Sequence, residues 1–405
     1  MLPSNWKVEK VGDLFEVQLG KMLNKKAKEI NPQFFYLGNT NVKWGHFELS
    51  ELKKMHFSES EIAKFSLEPN DILMCEGGEV GRCAIWPGSK ERIYYQKALH
   101  RLRSKGKIVP QFFQNYMESI SGTKILDNSS TKTSISHLTR EKLIYLPVKL
   151  PPLPEQKKIA QILSTWDKAI TITEQLFANS QQQKKSLMQQ LLTGKKRLLD
   201  ENGVGFSGDW RNYLLGDFSQ ITTGTSKSKF ISETGHNYII DMGSVTREGK
   251  LFPSKRTDIK SDFLKAGQLV MPKDDIGGGN IIGKVGIIDE NNKYILADHV
   301  YALKITNHNS LFISYIINSY LVNKSIRRKA NGTAQLGLSK KDVSKQNIYM
   351  PNDIEEQHKI AAVLSAADKE ITVLQQKLDM LKQEKKALMQ QLLTGKRRVK
   401  VEEAA

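Results

Sequence analysis

The sequence predicts a mixed α/β (α+β) protein. Two globular domains are joined by two long helices that pack as an antiparallel intramolecular coiled coil about a pseudo-twofold axis. Three observations predict it. The 405-residue chain repeats itself at half its length. Each repeat ends in a long segment whose apolar residues recur at helical spacing. The region before each such segment carries short β-like runs set off by turn residues.

The repeat is strongest in its tails. EQKKIAQILSTWDKAITITEQLFANSQQQKKSLMQQLLTGKKRL, from Glu155, aligns without a gap to EQHKIAAVLSAADKEITVLQQKLDMLKQEKKALMQQLLTGKRRV, from Glu356, at an offset of 201 residues. About 25 of 44 positions are identical, too many for chance, so the molecule is two similar halves. Upstream the match is weaker. Asn5-Trp6-Lys7…Gly12-Asp13 recurs as Asp209-Trp210-Arg211…Gly216-Asp217, Pro69–Met74 as Ala266–Met271, and Thr133…Leu138-Thr139-Arg140 as Thr333…Leu338-Ser339-Lys340. The domains are expected over 1–150 and 200–350, and the helical segments over 151–199 and 351–405, the last with a C-terminal tail. Similar tails imply a shared structural task, and unlike domains imply two targets.

Each tail is punctuated as a helix. Pro151, Pro152 and Pro154 precede the first and Pro351 the second, and proline suits a helix entrance but not its interior. Thr193-Gly194-Lys195 and Thr394-Gly395-Lys396 end them, with glycine for a left-handed terminal residue and lysine at the negative end of the dipole. The seam Ile159, Leu163, Trp166, Ile170, Thr173, Phe177, Ser180, Lys184, Leu187, Leu191 runs 4,3,4,3, and so does Ile360 through Leu392 in the second tail. A helix of about 39 residues spans roughly 58 Å. One misfit recurs, a lysine in the seam. In an antiparallel pair, facing residues sum to about 551, which sets Lys184 against Asp368 and Lys385 against Asp167. Two reciprocal ion pairs would then fix register and orientation. Snorkelling past a neighbouring leucine is the simpler alternative.

In the two domains, Phe34–Leu37, Asp71–Met74, Tyr238–Ile240 and Val285–Ile288 read as strands, and Gln111–Ser121 and Ser310–Lys329 as helices. The charge of +18, from 61 Lys+Arg against 43 Asp+Glu, with a pI near 9.5, suits a polyanion, and the basic residues run along most of the chain. Paired loops in the two halves supply candidate double-stranded DNA contacts. They include Gly78 and Arg82, mirrored by Lys273, Asp274 and Asn280, and Lys132 and Thr133, mirrored by Thr333 and Gln335, into which Arg327 and Arg328 lead; Lys21, Lys25, Lys43, Lys97 and Lys227 are further candidates. Glycine lets a backbone approach a phosphate, and Lys, Asp and Asn can bond base edges. A plain solvated loop is the alternative at any one residue, and the recurrence in both halves carries the reading.

Nothing supports chemistry by this chain alone, and we expect neither a metal site nor a cofactor. Gly278…Gly283-Lys284 satisfies GxxxxGK, but Val285 stands where a P-loop needs Ser or Thr. Asp241…Glu248-Gly249-Lys250 resembles a nuclease carboxylate–lysine set, yet it is short and lacks a counterpart in the first half. The eight histidines lack metal-ligand spacing, and Cys75 and Cys83 read as reduced, buried thiols. No stretch approaches the roughly 20 apolar residues of a membrane span, and Met1–Trp6 lacks signal-peptide order, so the chain reads as cytoplasmic.

Two divergent domains, each followed by a matching long helix, resemble the specificity subunit of type I restriction–modification systems. Leu150-Pro151-Pro152-Leu153-Pro154-Glu155-Gln156-Lys157-Lys158-Ile159-Ala160 and Leu187-Met188-Gln189-Gln190-Leu191-Leu192-Thr193-Gly194-Lys195, repeated at Leu388–Lys396, sharpen the resemblance. The second entrance departs from it modestly, with one proline where the first has three. The resemblance implies that each domain reads half of a split, asymmetric DNA target while the helices set an unread spacer. It also implies two methyltransferase subunits, which bind S-adenosylmethionine and methylate adenine, and two motor–nuclease subunits. A spacer of about 6–8 base pairs, roughly 20–27 Å, is within reach of such helices. A related two-component methyltransferase–nuclease would use a similar subunit. A stand-alone DNA-processing nuclease is disfavoured by the failed motifs above.

Overall fold

The computed structural model describes residues 2–24, 27, 29–128, 137–275, 278–332 and 336–401. Two compact units emerge, Met1–Glu174 with Gln376–Ala405, and Gln175–Gln375. The division cuts through both long helices, Leu153–Leu191 and Ile354–Leu392. Each unit therefore contains one globular domain, the N-terminal half of the helix that follows it, and the C-terminal half of the other helix.

The first unit is built on a four-stranded antiparallel sheet ordered Phe15–Leu19, Leu99–Ser104, Ile72–Cys75, Cys83–Ile85. Ile72–Cys75 is buried at all four positions, the mark of a strand covered on both faces. One cover is the helix Pro110–Ile120, which presents Phe112, Phe113, Tyr116, Met117 and Ile120 to the core. On the other side lies a core of Tyr36, Leu37, Met55, Phe57 and Tyr94, under a three-stranded sheet. There Gln33–Leu37 lies between Lys53–His56, antiparallel, and Ile93–Tyr95, parallel. Lys7–Lys10 pairs with Pro147–Leu150 and delivers the chain to the helix entrance.

The second unit repeats this topology. Its four-stranded sheet is ordered Ser219–Thr223, Val300–Ile305, Leu269–Pro272, Gly286–Ile287. Its three-stranded sheet places Asn237–Ile240 between Lys255–Thr257 and Tyr294–Leu296. Trp210–Leu214 pairs with Asn347–Pro351. The weak upstream matches become structural equivalences. Asn70 (φ 74) and Gly267 (φ 84) occupy the same left-handed turn position, with their amides donating to the carbonyls of Trp86 and Ile288.

One expected element divides. The run Ser310–Lys329 forms two helices, Ser310–Asn318 and Tyr320–Arg327, because Ser319 is extended (φ −60°, ψ 153°). The Asn318 side chain accepts from the Val285 amide (2.9 Å) and donates to its carbonyl (2.8 Å), anchoring the break to the sheet. The first unit breaks at the matching place, with Lys124–Asn128 following Pro110–Ile120.

In each unit the helix halves run antiparallel. In the first, Lys382 pairs with Glu174 and Lys385 with Asp167, both at 2.7 Å, so one number rises as the other falls. In the second, Ser180 donates to Glu370 (2.9 Å) and Lys184 pairs with Asp368 (2.7 Å). The ends are tied just as reciprocally. Glu155 accepts from Arg398, and Glu356 from Arg197. The next residue seats each helix on its domain. Gln156 accepts from the Val109 amide and Gln357 from the Asn309 amide, and each side chain donates back to a proline carbonyl, Pro151 or Pro351.

Candidate nucleic-acid interface

In the first half, the described parts of the segments around Lys21, Gly78 and Lys97 meet along one rim of the unit. The Gln96 amide donates to the Leu37 carbonyl, Lys97 N to Lys21 O, and Glu76 N to Ala98 O. Leu138 N bonds Glu76 O and Gly77 bridges His137, which sets these two residues against the start of the 76–82 loop. The second unit builds the same rim with matching bonds. Ala297 N donates to Ile240 O, Lys273 N to His299 O, and Leu338 N to Lys273 O. Buried strands thus fix the frame, and the rim residues are free to differ.

Among the singled-out residues, some serve the frame. Lys21 is 9% exposed, is paired with Glu61, and places its ammonium over the Phe57 ring. Here its ammonium serves the frame, held between Glu61 and the Phe57 ring. Arg82 is also committed, donating to both Asn39 oxygens (3.0 and 3.1 Å) and pairing with Glu79 (3.3 Å). It orders the loop instead of protruding from it. Gly78 adopts φ 79°, a backbone position that suits glycine.

Others face solvent on the rim. Lys97, Asn280, Arg327 and Arg328 are exposed, and Lys43, Lys227, Lys273 and Asp274 half-buried. Asp274 accepts from His299 Nδ1 at 2.6 Å, and Lys227 donates to Thr225 at 3.0 Å. The Arg327 guanidinium lies against Gly279, where a Cβ would stand 3.4 Å from it, so the glycine loop and the end of the Tyr320–Arg327 helix meet. Lys25, Lys132, Thr133, Thr333 and Gln335 lie outside the described residues.

Several rim residues were not singled out from sequence. Asn39 donates to the Gly77 carbonyl (3.1 Å), Trp44 to Glu79 (2.6 Å), and His299 adopts φ 64° beside Asp274. Each is isolated in sequence from the loop it joins. His299 carried a weak signal, since it lies next to the apolar strand Val300–Ile305.

The rejected motifs have structural uses. Lys284 of the GxxxxGK string is partly buried and donates to the Asn318 carbonyl (3.1 Å), and burial followed by the nearby Arg327 lowers its pKa. Short strand Gly286–Ile287 follows it, not a helix. Asp241 pairs with Lys255 (2.6 Å) and accepts from Ser244 (3.0 Å), closing a turn. Cys75 and Cys83 are free, buried thiols with pKa values raised by burial. Among the described residues, no three His, Cys, Asp or Glu side chains gather to hold a metal, and no helix is long and apolar enough to cross a membrane.

The rim can therefore bring Lys and Arg to a phosphate backbone and offer Asn and Asp to base edges. The family model for the type I restriction modification DNA specificity domain matches residues 3–179 and again 207–383. The chain is 27% identical to the type I restriction enzyme MjaVIII specificity subunit of Methanocaldococcus jannaschii, covering 98% of this chain and 94% of that protein. A second M. jannaschii relative, the putative type I restriction enzyme MjaX specificity subunit, is 25% identical over 98% of this chain and 95% of its own. The fold is similar to the crystal structure of a type I restriction–modification S subunit from M. genitalium, with TM-score 0.62, 15% identity and 96% of both chains covered. With two specificity domains on one scaffold, the chain belongs to the type I restriction modification DNA specificity family.

Proposed function

We propose that this chain is the sequence-reading subunit of a type I restriction–modification complex, and that it carries no catalytic centre of its own. The observation that carries the reading is the repeated rim. One set of backbone bonds holds both rims, while their side chains differ, as expected for two readers of two unlike half-sites. Lys97, Arg327 and Arg328 neutralise phosphates, giving salt-dependent affinity. Asn280 and Asp274 are the candidates for base edges. Both readers lie on one chain, so a target must offer both half-sites. Two methyltransferase subunits would carry S-adenosylmethionine and extrude the target adenine, and two motor–nuclease subunits would complete restriction in the cytoplasm. A two-component methyltransferase–nuclease would use the same subunit with other partners.

The test is to co-express the chain with its neighbouring methyltransferase and map methylated adenines in the host DNA. A two-part motif with a fixed gap is expected, and exchange of residues 200–350 should alter one part only. A stable complex without a gapped motif, or cleavage or nucleotide hydrolysis by this chain alone, would overturn the reading.

A further inference from the structure

The two rims share backbone bonds, so their side chains can be compared position by position. Glu76 N donates to Ala98 O in the first unit, and Lys273 N to His299 O in the second. Leu138 N bonds Glu76 O, and Leu338 N bonds Lys273 O. The backbone therefore matches Gly77 with Asp274, Lys97 with Asp298, Ala98 with His299, and His137 with Gly337. In the first unit the His137 ring fills the space beside Gly77, only 2.9 Å from where a Cβ would stand. In the second unit the arrangement is reversed. Gly337 lies opposite Asp274 in the strand pair, and a Cβ on it would stand 3.1 Å from the Asp274 Oδ1. The bare Gly337 leaves room for a carboxylate where the first unit has an imidazole.

That carboxylate holds a ring of its own. Asp274 Oδ2 accepts from His299 Nδ1 at 2.6 Å, and Lys273 Nζ stands 4.0 Å from the same oxygen. The Asp274 side chain is 16% exposed and that of His299 51%, so the pair has a sheltered end and an open end. With its proton held on Nδ1, the neutral ring carries its lone pair on Nε2. Among the described residues Nε2 has no hydrogen-bond partner, since Asp298 Oδ2 is 3.8 Å away, beyond hydrogen-bond reach. His299 also keeps φ 64°, a left-handed backbone that glycine adopts without cost, whereas its counterpart Ala98 does not. The second rim thus holds out an oriented acceptor that the first rim lacks. Each base pair offers one amino donor in the major groove, adenine N6 or cytosine N4. We propose that His299 reads such an amino group in the second half-site, with Asp274 as the residue that positions its ring. This assignment rests on the function proposed above. An acceptor at a fixed place separates adenine or cytosine from guanine or thymine on one strand. The first unit, with Lys97 and Ala98 at these positions, reads its half-site with other groups.

The test uses the full chain in complex with its methyltransferase, on duplexes that carry the motif mapped in the host DNA. Each base pair is substituted in turn, and methylation rates give the discrimination at each position. His299→Gly suits the left-handed backbone and removes the ring. It should lower discrimination between amino and keto bases by about fivefold or more at one position, in the part of the motif that exchange of residues 200–350 alters. The other part and the gap should not change, and the melting temperature should stay within about 2 °C of wild type. Asp274→Ala should relax the same position, and it decides the matter if His299→Gly does not fold. Asp274→Asn should preserve discrimination, because its amide oxygen still accepts from Nδ1. Unchanged discrimination in His299→Gly, an equal loss of rate on every duplex, or relaxation at a different position in Asp274→Ala would overturn the assignment. Loss of discrimination in Asp274→Asn as large as in Asp274→Ala would overturn the positioning role. A wild-type complex that marks no gapped motif would remove the proposed function and this assignment together, whereas a gapped motif indifferent to His299 would remove this assignment alone.

Discussion

Removing Arg197 should cost more than removing its counterpart Arg398, although the two occupy equivalent places in the repeat. Glu356 is fully buried and accepts two bonds from Arg197, including Nη2 at 2.7 Å. Glu155 is 3% exposed and accepts the corresponding pair from Arg398 at 2.7 and 2.9 Å, but it also accepts from Trp6 Nε1 at 3.1 Å. In the second unit the equivalent indole nitrogen, on Trp210, has no partner. Arg197→Ala therefore leaves a buried carboxylate stripped of both side-chain donors, and breaking such a pair costs about 3–5 kcal/mol. Arg398 is 41% exposed and Trp6 remains after its loss, so Arg398→Ala should cost about 2 kcal/mol. For units of this size, roughly 2–4 °C of melting temperature corresponds to 1 kcal/mol. Scanning calorimetry of the full chain should thus show one transition falling by roughly 6–20 °C for Arg197→Ala and by about half as much or less for Arg398→Ala. Adding Glu356→Gln to Arg197→Ala removes the stranded charge and should restore about half the loss. Equal losses for the two arginines, or no recovery in the double variant, would show that burial of the carboxylate is not what sets the cost.

Three further outcomes follow from the same contrasts. His100 is buried, its Nε2 donates to the Leu138 carbonyl (2.9 Å), and its pKa is lowered chiefly by burial, while Tyr301 donates to the matching Leu338 carbonyl (2.9 Å). A depressed folded-state pKa means that the unfolded chain takes up the proton first, so stability should fall as pH drops below about 6.5. His100→Tyr should flatten that decline between pH 7 and 5 in melting experiments, and an unchanged slope would assign it to other groups. Gly395 (φ 75°) ends the second helix with a Cβ position 2.6 Å from Pro3, whereas the nearest atom to a Cβ at Gly194 (φ 71°) is 3.2 Å away on Trp210. Both alanine variants meet left-handed strain of about 1–2 kcal/mol, and Gly395→Ala should lose clearly more in urea unfolding. At the helix pair, Lys184→Asp and Asp368→Lys should each destabilise, and the double exchange should recover roughly 0.5–1 kcal/mol relative to additivity; strict additivity would mean that the pair does not contribute to register.

Much of this architecture is legible in the sequence because it is periodic or punctuated. The seam lysines are an example. Antiparallel arithmetic on the 201-residue repeat pairs Lys184 with Asp368 and Lys385 with Asp167, and the structure brings both pairs to 2.7 Å. The helix ends were readable because proline and glycine act locally. The division at Ser319 was not readable, since it depends on Asn318 reaching Val285, 33 residues away. The pairing of Lys21 with Glu61 was not readable for a related reason. A lysine among lysines resembles a surface loop until Glu61 folds across it.

The sequence by itself determined the duplication, the long helices and their antiparallel register, because these depend on spacing along one chain. Tertiary structure alone decided how those helices are shared. Each unit takes the first half of one helix and the last half of the other, and closes with Glu155–Arg398 or Glu356–Arg197. It also decided which rim residues are committed to the frame and that His299 lies against Asp274. Burial and hydrogen-bond satisfaction depend on neighbours distant in sequence, and no local pattern encodes them.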